Sequence, residues 1–228
     1  MDIALTAADG HQLSAYRADP PTGPHGGTVR GAIVVIQEIF GVNSHMRRTT
    51  DGFAKDGYLA ICPALFDRVR PGIELGYGPD DVAQGRELRG KISWEAVLAD
   101  MKAAIDAARV AVGPNGKVGV VGYCWGGSVA WRAATQLAVD AAVGYYGGQV
   151  AEFAAEKPKC PVMLHFGEKD AGIPLTQVET VRKSHPGLPI HVYAADHGFN
   201  CDDRRQYDEA AAKLARQRTL EFFRTHVG

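Results

Sequence analysis

Lys117-Val118-Gly119-Val120-Val121-Gly122-Tyr123-Cys124-Trp125-Gly126-Gly127-Ser128 is the stretch on which the fold of this 228-residue chain turns. Residues 118–121 form a short apolar run rich in valine, as expected of a strand buried on both faces. The run passes into Gly-x-Cys-x-Gly-Gly, and residues 128–137 beyond it read as a helix. Strand, tight turn and helix in that order are the context of a Gly-x-Ser-x-Gly nucleophile elbow, with Cys124 in place of serine. The spacing has a steric reason. The turn must pass close to the sheet and to the next helix, and Gly122 and Gly126 have no Cβ to obstruct it. A sulfur there lies near a helix N-terminus, whose dipole favours the thiolate. Two other readings compete. A cysteine after a buried strand is usually a small hydrophobe. A phosphate-binding loop would carry a Lys-Ser/Thr pair or an uninterrupted glycine fingerprint, and this stretch has neither.

Outward from the elbow, similar apolar runs recur at 32–36, 58–62, 141–145, 162–166 and 190–193. Between them lie segments of helical period. Trp94, Val97, Leu98, Met101, Ala104, Ile105 and Ala108 repeat at three and four residues behind Ser93, an expected N-cap. Ala211, Leu214, Ala215, Leu220 and Phe223 repeat similarly near the end of the chain. Strands alternating with helices predict an α/β fold, a mostly parallel central sheet covered by helices on both faces. The Pro/Gly-rich stretch 20–27 reads as a loop between early strands, and residues 1–228 are expected to form one domain.

Composition narrows the functional classes. With 25 Lys and Arg against 26 Asp and Glu, and no basic run, nucleic acid and membrane surfaces are not expected partners. No apolar run approaches the roughly 18 residues of a membrane span. Cys62, Cys124, Cys160 and Cys201 make neither a Cys-x-x-Cys pair nor a zinc-type spacing. The N-terminus lacks a basic segment followed by an apolar one, so a cytoplasmic location and free thiols are expected. The expected partner is a small molecule, and the expected assembly a monomer or weak homodimer.

A cysteine nucleophile needs a base and an acid that orients it, in the chain order nucleophile, acid, histidine. Asp170, in the loop after the 162–166 run, is the predicted acid, with Glu168 as its competitor. His197 follows the last predicted strand and precedes the last helix, which makes it the preferred histidine of eight. Asp196 is its neighbour in sequence, but consecutive side chains generally point apart. Neither a His-Glu-x-x-His nor a Cys-x-x-Cys pattern occurs, so no metal site is expected.

These segments resemble the dienelactone hydrolase (carboxymethylenebutenolidase) family. The resemblance rests on Gln37-Glu38-Ile39-Phe40-Gly41-Val42-Asn43, the Gly-Tyr-Cys-Trp-Gly-Gly elbow, Val143-Gly144-Tyr145-Tyr146-Gly147, Gly167-Glu168-Lys169-Asp170 and Asp196-His197-Gly198-Phe199, in that order along the chain. It implies the α/β-hydrolase fold and cofactor-free lactone or ester hydrolysis by Cys124, His197 and Asp170, with dienelactone converted to maleylacetate. It also implies that Glu38 helps turn the thiol into thiolate, and that the backbone N–H groups of Ile39 and Trp125 form the oxyanion hole. For a substrate carboxylate it implies two arginines. Arg86 matches the first, with Arg89 beside it, but Cys201 occupies the second position and Arg204 is displaced from it. Phe40, Trp94 and Phe199 are expected to line the pocket, and the 68–90 loop to cover it. Three other readings stay open: a broader carboxylesterase or thioesterase, a non-catalytic ligand-binding protein, and a thiol redox sensor.

Overall fold

The computed structural model describes residues 1–21 and 29–228, and most of the predicted 20–27 loop falls outside that range. Eight strands form one sheet in the order β1-β2-β4-β3-β5-β6-β7-β8. They are β1 (Asp2–Thr6), β2 (Gln12–Ala18), β3 (Ala32–Ile36), β4 (Leu59–Pro63), β5 (Val118–Tyr123), β6 (Ala141–Tyr145), β7 (Val162–Gly167) and β8 (Ile190–Tyr193). The strands from β4 through β8 in that order run parallel, whereas β1 and β2 are antiparallel additions at one edge. Every residue of β3 through β7 is buried, as strands covered on both faces must be. In β2, by contrast, Leu13 and Ala15 alternate with exposed Gln12 and Ser14. That weaker period-2 signal explains why β1 and β2 do not stand out as continuous apolar runs.

Six helices cover the sheet: α1 (Ser44–Lys55), α2 (Pro79–Gly90), α3 (Trp94–Val112), α4 (Trp125–Gln136), α5 (Leu175–Ser184) and α6 (Glu209–His226). Ser93 caps α3, its hydroxyl accepting from the Ala96 amide at 3.2 Å. Asn43 and Asp208 cap α1 and α6 through the amides of Met46 and Ala211. Phe53 of α1 meets Phe223 of α6 edge-on, ring centres 6.1 Å apart, so these two helices share one face of the sheet. The helices α3 and α4 pack together on the other.

Two expectations need correction. The elbow helix begins at Trp125, so Cys124 itself is the N-cap position. The 68–90 segment contains a regular helix, α2, because Pro79 supplies a favourable first-turn residue and Asp81 accepts from the Gly78 amide at 3.1 Å.

Candidate active site

The site forms where the parallel strands end. Ile36 of β3 is in register with Gly122 of β5, and Tyr123 of β5 with Tyr145 of β6. Glu38 and Cys124 each lie two residues beyond the registered pair of Ile36 and Gly122, on adjacent strand ends. Cys124 has φ 55° and ψ −120°, a conformation side chains seldom adopt. Its amide donates to the Tyr145 carbonyl at 3.1 Å, and its carbonyl accepts from Gly127 at 2.9 Å. The flanking glycines are sterically required. A Cβ on Gly122 would lie 1.8 Å from the Gly126 carbonyl oxygen, and one on Gly126 would lie 2.5 Å from those of Ile36 and Gln37. The strained turn therefore presents a partly exposed sulfur at the N-terminus of α4.

Asp170, in the turn after β7, is buried, and its carboxylate is fully occupied. One oxygen accepts the amides of Gly172 and Ile173 at 2.9 and 3.1 Å, and the other accepts His197 Nδ1–H at 2.6 Å. With Nδ1 committed, Nε2 is left free for the Cys124 sulfur, which lies close enough to act on the charge of the ring. Burial works against a charged imidazole here, but the Cys124 sulfur and the Asp170 carboxylate outweigh it and push the His197 pKa up to about 10. Asp196 accepts the backbone amide of His197 at 2.6 Å and so braces the main chain rather than the ring. Glu168 is exposed. Cys124, His197 and Asp170 are thus brought together.

Glu38 is completely buried beside them. One oxygen accepts Arg204 Nη1–H at 3.2 Å, and the other has no partner among the described residues. The displaced position of Arg204 in sequence is undone by the turn that precedes it. The Cys201 amide donates to the Gly198 carbonyl at 2.9 Å and the Arg204 amide to that of Cys201 at 3.1 Å, folding the chain back on itself. Gly198 has φ +79°, and a Cβ there would sit 2.6 Å from Arg204 Nη1, so the guanidinium fills the space a side chain would take. No sequence spacing shows this return.

Trp125 is the first residue of α4, so its N–H has no acceptor within the helix, and Ile39 lies in the turn after β3. Gly85 of α2 packs against the Ile39 carbonyl, which lays α2 over this turn. Arg86, the next residue, is exposed. Arg89, one turn on from Gly85, is half-buried and donates to Gln149, which follows β6. Phe40 is buried edge-on against Tyr77, with the Arg204 guanidinium 5.8 Å from its ring centre. Phe199 does not line an opening: it is wholly buried among Tyr145, Tyr146 and Tyr193. Trp94 packs on Phe153 and Arg132 as part of the α3 interface, the usual fate of tryptophan at helical spacing. Sequence reasoning missed Tyr146, whose φ is 38° and whose buried ring centre lies 5.0 Å from that of His197. Its only signal was its place in the Tyr-Tyr-Gly segment after a strand.

The sequence model of the Dienelactone hydrolase family matches residues 14–227. The chain is 37% identical over 230 residues to the carboxymethylenebutenolidase of Pseudomonas putida, covering 96% of this chain and 94% of that one. It is 32% identical over 226 residues to carboxymethylenebutenolidase 1 of Cupriavidus pinatubonensis, covering 96% and 94%. The crystal structure of a "Putative Dienelactone Hydrolase" from Klebsiella pneumoniae superposes with a TM-score of 0.82 at 32% identity over 98% of each chain. With a family match across nearly all its length, and near-full-length relatives above 30% identity, the chain belongs to the dienelactone hydrolase family and has the α/β-hydrolase fold.

Proposed function

We propose that this protein hydrolyses a small lactone or ester through Cys124, His197 and Asp170, with dienelactone (4-carboxymethylenebut-2-en-4-olide) giving maleylacetate as the leading substrate. The observation that carries the reading is the His197–Asp170 contact of 2.6 Å beside a cysteine held at positive φ. Cys124 thiolate attacks the carbonyl carbon, and the negative charge moves to oxygen, where the Ile39 and Trp125 N–H groups receive it. The tetrahedral intermediate collapses to a thioester, and His197 passes its proton to the departing oxygen. A water molecule, deprotonated by His197, then releases the acid and restores the thiolate.

In this reading Glu38 is a second proton acceptor for the thiol, restrained at rest by Arg204. A substrate carboxylate that engages Arg204 competes with Glu38 for it, so that the anionic substrate itself frees the acceptor. Arg89 supports carboxylate recognition better than Arg86 does, because it is half-buried and held by Gln149 while Arg86 is exposed. A carboxylesterase or thioesterase role has one observation in its favour: both Arg89 and Arg204 already have side-chain partners, and a neutral ester would leave them undisturbed.

The test is steady-state turnover of cis- and trans-dienelactone beside p-nitrophenyl acetate, in wild type and Cys124→Ala. Lactone turnover lost in the variant is expected. Cysteine-dependent cleavage of the ester alone would move the assignment to a broader esterase. Activity unchanged by Cys124→Ala would remove the nucleophile, and ligand binding without turnover would favour a binding protein.

A further inference from the structure

Behind the nucleophile lies a second cluster, which the proposed hydrolysis does not use as a unit. One carboxylate oxygen of Glu38, one ring nitrogen of His45 and the Cys201 sulfur lie within 4.8 Å of one another, all three residues buried. The three come from different places: the turn after β3, the first turn of α1, and the turn after His197. Two of these residues also carry a buried polar atom with no hydrogen-bond partner among the described residues, Glu38 Oε2 and His45 Nε2. Unsatisfied buried polar atoms are costly, and two of them on residues that meet at one thiol ask for a ligand.

The surroundings are those of a metal-binding histidine. His45 Nδ1–H donates to Asp202 Oδ1 at 3.1 Å, which leaves Nε2 as the bare lone pair. A carboxylate behind the ring is the usual outer-shell device that orients an imidazole toward a metal. Glu38 is similarly divided. Its Oε1 accepts from Arg204, so Oε2 can bind a cation without breaking that pair. Tyr77 stands beside Cys201, its hydroxyl accepting from Asn43 Nδ2 at 3.2 Å. An open cleft of about 550 Å³ between α1 and α6 reaches the cluster's outer side at His45 and Asp202.

We propose that Glu38, His45 and Cys201 form a binding site for a borderline divalent cation of the zinc type, and that its occupancy stops turnover. The donor set decides the class of ion. Carboxylate, imidazole and thiolate together suit zinc or cobalt, whereas magnesium and calcium prefer oxygen alone. Charge sets the requirement. The Arg204 guanidinium opposes a cation here, so binding needs two anionic ligands, Glu38 and a deprotonated Cys201. The thiol proton leaves to solvent, the metal–sulfur bond forms, and no electron moves. Neutral His45 and a water molecule would complete a tetrahedral shell. The inhibitory half rests on the proposed role of Glu38, which a bound metal would hold away from the Cys124 thiol.

Chelator-treated wild type, Cys201→Ser, His45→Gln and Cys124→Ser proteins are titrated with Co²⁺, reading the thiolate-to-cobalt charge-transfer absorption, and then with Zn²⁺ as competitor. One equivalent is expected to produce the band in wild type and in Cys124→Ser. The band should vanish in Cys201→Ser, and affinity should fall at least about tenfold in His45→Gln, as for loss of a ligand's support. Far-UV circular dichroism confirms that each variant is folded. Should Cys201→Ser fail to fold, Cys201→Ala and His45→Gln carry the same comparison. No band in wild type, or a band lost in Cys124→Ser and kept in Cys201→Ser, would overturn the site. Zn²⁺ should also slow turnover at the concentration that displaces cobalt. Full turnover with the site occupied would overturn the inhibitory half. Absence of hydrolysis at the outset would count against the proposed function, while the cobalt band would still decide whether the site binds metal.

Discussion

Two buried carboxylates stand at the same edge of the sheet and are treated in opposite ways. Asp170 accepts two backbone amides and the His197 ring, so every donor it needs is built into its own turn and the next. Glu38 accepts one guanidinium and has an oxygen without a partner among the described residues. A carboxylate whose lone pairs are filled has nowhere to go and serves as a fixed orienting group. A half-filled one keeps capacity for a proton, a substrate-induced exchange or a metal ion. The difference teaches that the β7–β8 side of the site is a rigid support and the β3 side is its adjustable part.

The sharpest way to break this comparison is kinetic. Asp170→Asn should lower kcat by about 10³- to 10⁴-fold, because the wrong tautomer of His197 is then held in place. Glu38→Gln should cost less, about 10- to 100-fold, within the usual range for a proton-transfer group. Equal losses in the two variants, measured on the same lactone or ester, would erase the distinction.

Next in size is the stability of the adjustable side. Arg204→Met leaves Glu38 buried without its guanidinium partner and should destabilise the protein by about 3–5 kcal/mol in urea unfolding. Adding Glu38→Gln should recover most of that loss, since a neutral amide no longer needs the guanidinium. If the single variant is as stable as wild type, Glu38 has another means of satisfaction.

The rigid side predicts a pH effect. The His197 pKa is raised to about 10 from an ordinary value of 6.5. Its contribution to stability is therefore fully present below about pH 6.5 and is lost as pH rises through about 10. The same deprotonation removes the acid that assists the leaving group, so kcat/KM should fall on the alkaline side near pH 10. Following the ring by NMR should give a pKa lower by at least about one unit in Cys124→Ala, where the sulfur is gone. An unchanged value would place the cause in Asp170 alone.

The smallest effect separates two arginines on α2. Arg89→Ala should raise KM for an anionic lactone about tenfold, equivalent to one charge-assisted hydrogen bond, and leave p-nitrophenyl acetate unaffected. Exposed Arg86→Ala should change either substrate by less than about twofold. The reverse ranking would mean that α2 turns its other face to the substrate.

Much of this protein is determined by its sequence alone. The apolar runs are the strands of the parallel sheet because only continuous hydrophobicity suits burial on both faces, and the glycines around Cys124 announce a turn that larger residues would block. An early strand before the 20–27 loop is expected from the sequence, but β1 and β2 have no legible bounds, since half-buried alternation over five to seven residues hardly differs from loop composition. Among site residues, those tied to a strand end and a turn, Cys124, Asp170 and His197, could be chosen by order along the chain. What only the tertiary structure decided is which of the remaining polar groups meet. Arg204 reaches Glu38 by a reversal at Gly198. His45 and Cys201, 156 positions apart in the sequence, converge on the same carboxylate. Local backbone preferences specify the elements and their ends. The partners of a buried charge depend instead on long side chains arriving from distant loops, and no local pattern encodes that distance.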